Sequence, residues 1–156
     1  MKQNSNQTIE RWGIRYTGIV QGVGFRPLVS MCAHSLGLTG FVYNDSRGVY
    51  VEIQGPLGAL QLFLDAVQAE QPRLCRITSQ TVQHLTVKGD EIDFIVAPSP
   101  LGESVSTFIS ADTAPCDDCI KELQQDKRRR DYPFINCTNC GPRYTIIKSL
   151  PYDRER

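Results

Sequence analysis

Two clusters of residues in this 156-residue chain have types and spacings suited to chemistry. The first is Gln21-Gly22-Val23-Gly24-Phe25-Arg26, set between an apolar run ending at Val20 and a helical pattern. Glycines tolerate positive φ and carry no side chain, so successive backbone N–H groups can turn toward one point. Such a concave set of amides binds anions. A helix N-terminus directly behind it adds unpaired donors and a positive dipole end. Arg26 stands at the junction, where its planar fork can give two parallel hydrogen bonds to a phosphate. Residues Gln21 to Arg26 are therefore expected to hold a phosphate. On the glycines alone, the same stretch also reads as a strand-to-helix turn with Arg26 in solvent. It lacks the lysine of a Walker loop and the third glycine of a dinucleotide fingerprint.

The second cluster is four cysteines. Cys116 and Cys119 form one C-x-x-C pair, Cys137 and Cys140 another, and seventeen residues lie between the pairs. That spacing matches a tetrahedral zinc site. Four thiolates would close the coordination shell, so the expected role is structural, with one ion. Redox C-x-x-C chemistry or two disulfides are the alternatives. Few large apolar residues lie in this segment, so metal would supply the folding energy. Cys32 falls on an apolar helical stripe and reads as inert packing. His34 lies on the opposite helix face, and His84 has no evident partner, so a cysteine–histidine nucleophile is not expected from them or from Cys75.

The elements that must position these groups follow from periodicity. Trp12, Ile14 and Tyr16 alternate with Arg15 and Thr17, which is strand spacing. Phe25, Leu28, Val29, Cys32 and Leu36 repeat at helical spacing, and Gly37 is a natural stop. The segment Leu38 to Asp45 and the alternating Val49, Val51 and Ile53 form a hairpin around Ser46-Arg47-Gly48. Pro56 opens a second helix with Leu57, Leu60, Phe63, Leu64 and Val67 on one stripe. Arg73 to Gln83 is the weaker of two further strand segments. Glu91 to Pro98, with Ile92, Phe94 and Val96 alternating, is the stronger. The order is β-α-β-β-α-β with one extra strand segment, an α+β, ferredoxin-like arrangement. The expected division is 10–98 for this domain, a Ser/Pro/Thr-rich linker over 99–114, and a four-cysteine zinc module over 115–156.

The formal net charge is zero. No global electrostatic case therefore exists for nucleic acid or a membrane surface as partner. The run Lys127-Arg128-Arg129-Arg130 is offset by Asp117, Asp118, Glu122, Asp126 and Asp131, so nucleic-acid binding is not the favoured reading. The polar N-terminus has no secretory pattern, and no apolar run is long enough to span a bilayer. A soluble, cytoplasmic protein is expected.

The stretch VQGVGFR, Val20 to Arg26, followed by GFVYNDSRGVYVEIQG, Gly40 to Gly55, resembles the acylphosphatase family over about residues 11 to 97. The resemblance implies that the amides of Gln21 to Phe25 and the Arg26 side chain hold the phosphate, and that Asn44 positions the attacking water. An acyl phosphate leaves as a carboxylate, a weak base that needs little general-acid help. Asn44 is no strong base, so the resemblance implies that the proton passes to the substrate phosphate. As a residue of the segment NDSRG, Asn44 is equally good turn chemistry.

QGVGFRP, Gln21 to Pro27, together with RRRDYPFINCTNCGPRYTIIKSLPYDR, Arg128 to Arg154, resembles the N-terminal part of the HypF family. These are carbamoyltransferases of nickel–iron hydrogenase maturation. That resemblance implies carbamoyl phosphate as substrate, carbamate and phosphate as products, and HypE as the partner that later receives the carbamoyl group for the cyanide ligands. The chain stops at Arg156, so it is expected to be a fragment competent in the first step at most. ATP use, transfer and contact with HypE would belong to domains beyond it. A general acylphosphatase, or a non-catalytic phosphate-binding adaptor whose zinc finger contacts protein or nucleic acid, are the alternatives.

Overall fold

The computed structural model describes residues 8–100, 115–125, 127, 130 and 131. Its elements run β1 (Ile9–Ile19), α1 (Phe25–Ser35), β2 (Thr39–Asp45), β3 (Gly48–Pro56), α2 (Leu57–Ala69), β4 (Arg76–Leu85), β5 (Phe94–Val96) and α3 (Asp117–Gln125). The first seven build one sheet in the order β4-β1-β3-β2-β5, with two helices against it. All neighbours are antiparallel except β5, which lies parallel to β2.

Alternation along the strands explains why the sheet has two different faces. Trp12, Ile14 and Tyr16 of β1, Val42 of β2 and Val49, Val51 and Ile53 of β3 are all buried. They meet Phe25, Leu28, Val29 and Cys32 of α1 and Leu60, Phe63 and Val67 of α2 in one core. Both helices therefore cover the same face, as the stripe pattern predicts. The other face carries Arg11, Arg15, Phe41, Tyr43, Tyr50 and Glu52. There the Arg15 guanidinium lies 5.0 Å from the Tyr50 ring centre, and Arg11 is buried between Glu52 and Glu91.

One expectation is corrected. The segment over 73–83 reads in sequence as the weaker strand, yet β4 runs for ten residues and closes the βαββαβ unit. The segment over 91–98 reads as the stronger, yet contributes only the three residues of β5. Within its alternating set Phe94 is 2% exposed, but Ile92 is 95% exposed. β4 is an edge strand with its outer residues open to water, so burial leaves no alternation in its sequence. β5 is the added fifth strand, anchored mainly by Phe94, which packs edge-on to His34.

Candidate functional site

The glycine loop starts where β1 runs out. Val20, Val23 and Phe25 are buried, 1%, 0% and 1% exposed, and they pull the loop against the core from both ends and the middle. Gly22 and Gly24 take φ of 71° and 80°, conformations that favour glycine. Gly24 is the N-cap of α1 and has no side chain with which to cap the helix start. That is the condition under which a helix N-terminus receives an anion. Pro27, next along, brings no N–H but a φ preset for a first turn. The Phe25 ring meets Tyr16 edge-on at 5.1 Å, fixing the angle at which α1 leaves the loop. Arg26, half-buried, follows directly.

Asn44 is the penultimate residue of β2, opposite Val49. Counting by twos from Val42 puts it on the helix-covered face, and it is 1% exposed. Its neighbour Asp45 therefore faces the other way. Asp45 accepts from Arg15 Nη1 through both carboxylate oxygens, at 2.9 and 2.7 Å. The backbone N–H of Arg47 donates to the same carboxylate at 2.8 Å, closing an Asx turn. The two-residue connection Ser46-Arg47 ends at Gly48, which pairs back with Asp45.

The Gln21 side chain joins loop and hairpin. It is 4% exposed, and its Nε2 donates to the carbonyls of Asp45 and Gly48, each at 2.7 Å. The structure thus ties the first residue of the stretch 21–26 to the hairpin tip next to Asn44. Residue reasoning places Gln21 in the loop but does not foresee where its side chain points. It also misses Arg15 and Asp45. The one local signal is Asp45 two residues ahead of Arg47, an Asx-turn spacing.

Cys32 and Cys75 are buried free thiols. Burial pushes both up, Cys75 to about 11, which leaves little thiolate for attack. His34 is about half exposed and lies 3.2 Å from Asp93. His84 does have a partner, with Nδ1 3.2 Å from Glu10. A cleft of about 640 Å³ opens on the sheet face opposite the two helices, lined by Gly13, Arg15, Tyr43, Tyr50, Glu52 and Gln83 among others. It lies across the sheet from the glycine loop.

Of the four candidate zinc ligands, two lie in described residues. Cys116 immediately precedes α3 and its carbonyl accepts from Ile120 N at 3.0 Å. Cys119, fully buried, sits in the first turn, packed with Cys116 and Leu123. Neither is in a disulfide among the described residues. Cys137 and Cys140, the linker and the remainder of the module lie outside the described residues.

A five-stranded sheet of this order, with a glycine loop tied by Gln21 to the hairpin tip that follows Asn44, defines an acylphosphatase-type domain. Residues 12–96 match the acylphosphatase family, and the chain belongs to it. The Thermotoga maritima acylphosphatase is 42% identical over 84 residues, 53% of this chain and 91% of that protein. The solved acylphosphatase of Bacillus subtilis is 33% identical, covers 58% of this chain and 99% of its own, and superposes with a TM-score of 0.52.

Beyond that domain, residues 116–147 match the HypF finger, and the chain is homologous throughout to the N-terminal region of HypF carbamoyltransferases. The Rhodobacter capsulatus enzyme is 41% identical over 148 residues, 95% of this chain and 20% of that protein. The Rhizobium leguminosarum bv. viciae enzyme is 46% identical over 147 residues, 94% and 19% respectively. The crystal structure of full-length HypF in its phosphate- and nucleotide-bound form superposes with a TM-score of 0.85, at 41% identity over 97% of this chain and 20% of that one. The chain spans about a fifth of the length of these relatives. Among the described residues, no helix is long and apolar enough to cross a membrane.

Proposed function

We propose that this chain hydrolyses an acyl phosphate, with carbamoyl phosphate converted to carbamate and phosphate as the first step of carbamoyl transfer in nickel–iron hydrogenase maturation. The observation that carries the reading is the pinning of the Gln21–Arg26 loop to the hairpin end bearing Asn44, through two 2.7 Å hydrogen bonds. One anion held by the loop would lie beside one water-positioning amide.

The chemistry follows from charge. Phosphoryl transfer needs positioning and stabilisation of charge on the phosphoryl oxygens. The amides of Gln21 to Phe25 and the Arg26 guanidinium supply the second. Asn44 orients a water in line with the acyl leaving group. A bond forms from water oxygen to phosphorus, the bond from phosphorus to the acyl oxygen breaks, and its electron pair leaves with the carboxylate. The water proton goes to a phosphoryl oxygen, because neither Arg26 nor Asn44 is a base. In this reading zinc is structural, one ion held by Cys116, Cys119, Cys137 and Cys140, and takes no part in the step. The domain limits 10–98 and 115–156, a cytoplasmic location, and hand-over to HypE through domains outside this chain belong to the same proposal.

The test is phosphate release from carbamoyl phosphate beside acetyl phosphate, for the wild type, Arg26→Ala and Asn44→Ala. Removing one preorganised charge-stabilising group costs about 100- to 1,000-fold in kcat. Losses of that order in both variants, with carbamoyl phosphate preferred, support the reading. Equal turnover of the two substrates indicates a general acylphosphatase. Turnover untouched by either substitution refutes the site.

A further inference from the structure

We infer that Gln21 is the positioning residue that sets where Asn44 stands, acting through its side chain while its backbone belongs to the phosphate loop. This rests on the hydrolytic reading above and deepens it.

The inference comes from where the amide's hydrogens go. A carboxamide has two N–H donors. Gln21 Nε2 directs them to the carbonyls of Asp45 and Gly48. Those two residues are the closing pair of the β2–β3 hairpin. A single side chain therefore spans the mouth of the turn and holds both of its strands. Asp45 is covalently next to Asn44, and it is gripped from the opposite face by Arg15 at 2.9 and 2.7 Å. Arg15 takes the carboxylate and Gln21 takes the carbonyl, so the peptide after Asn44 has little freedom left.

The grip of Gln21 matters for chemistry in a way that of Arg15 does not. Arg15 ties the hairpin to β1, a scaffold strand. Gln21 ties it to the loop that holds the phosphate. The distance between the anion and the water-positioning amide is thus set by one buried, neutral side chain. Its low exposure, 4%, keeps water from competing for the two carbonyls. Charge at this position would be wrong: a glutamate would place an acceptor against two acceptors.

Replacing Gln21 leaves its backbone N–H in place. Phosphate binding and water positioning should therefore separate. The experiment uses the whole chain carrying Gln21→Met, which fills the space without donors, and Gln21→Asn, which keeps the amide but is too short to reach. For each, kcat and KM are measured with carbamoyl phosphate well below the unfolding temperature. Phosphate affinity is measured by titration, and the Asn44 side-chain amide resonances are recorded, assigned through Asn44→Ala.

Both variants should lose about 10- to 100-fold in kcat, the scale of a misplacement near 1 Å, with phosphate affinity little changed and the Asn44 resonances shifted. A folded variant with wild-type kcat and unmoved Asn44 resonances overturns the inference. So does an equal loss of phosphate affinity and kcat, which would make Gln21 part of the anion site only. If the wild type itself does not turn over, the hydrolytic reading fails on its own, and the Asn44 resonances still decide whether Gln21 places that side chain. If one variant does not fold, the other carries the same readouts. If neither folds, Gln21 is a folding residue and the inference is overturned.

Discussion

Arg15 holds Asp45 through both carboxylate oxygens, at 2.9 and 2.7 Å, with Asp45 7% and Arg15 19% exposed. Short, charge-assisted bonds of this kind are stronger than neutral ones. Asp45→Asn removes the charge and one of the two acceptors. It should lower the folding free energy by about 2 kcal/mol. Urea unfolding would show this as a lower midpoint at unchanged slope, and an unchanged midpoint would mean that solvent replaces the pair.

Gly48 is the second fixed point of the tip. Its φ is +132°, and a Cβ there would meet the Tyr16 carbonyl oxygen at 2.2 Å, a backbone atom that cannot rotate away. Gly48→Ala forces the hairpin off β1 as well as straining the residue. A loss on the order of 3 kcal/mol is expected, readable as a fall in thermal midpoint of more than about 10 °C for a domain this size. A midpoint within a degree or two of wild type would contradict the close approach.

Acid should weaken the sheet face opposite the two helices. The Arg11 guanidinium, hydrogen-bonded to Glu91, holds that carboxyl below its ordinary value of 4.5. A carboxyl whose folded pKa is lowered contributes stability in full above its unfolded pKa, and loses it as pH falls through the folded one. Glu91→Gln should therefore be less stable than wild type at neutral pH, with the difference vanishing in acid. Denaturant unfolding at a series of pH values tests this. A gap between the two proteins that persists below the lowered pKa would point to lost packing in place of lost charge.

Metal removal should act on the C-terminal module alone. Protein purified without chelator should carry one zinc per chain by elemental analysis. Chelation should abolish the protection of α3 amides from hydrogen exchange and leave β1 to β4 protected. Cys119→Ser should do the same. A metal-free protein with α3 still protected would overturn the zinc reading.

Much of the fold was legible because it is carried by local pattern. Apolar residues at helical spacing over Phe25 to Leu36 and Leu57 to Val67, and alternation over Trp12 to Tyr16 and Val49 to Ile53, report burial on one face of a regular element. The same logic misled over residues 73–98. An edge strand such as β4 has little burial to report, while Ile92 and Val96 imitate alternation without being buried.

The site divides along the same line. By itself the sequence determined the glycine loop at the head of a helix, Arg26 at its junction, a hairpin turn around Ser46-Arg47-Gly48 and the paired cysteines. Each depends on neighbours within a few positions, where backbone geometry dictates residue type. Tertiary structure alone decided that Gln21 turns its side chain to the carbonyls of Asp45 and Gly48, and that Arg15 reaches Asp45 from the other face. Those contacts join residues 24, 27 and 30 positions apart. No local rule encodes them, because they exist only once antiparallel pairing has brought the end of β1 and the β2–β3 tip together.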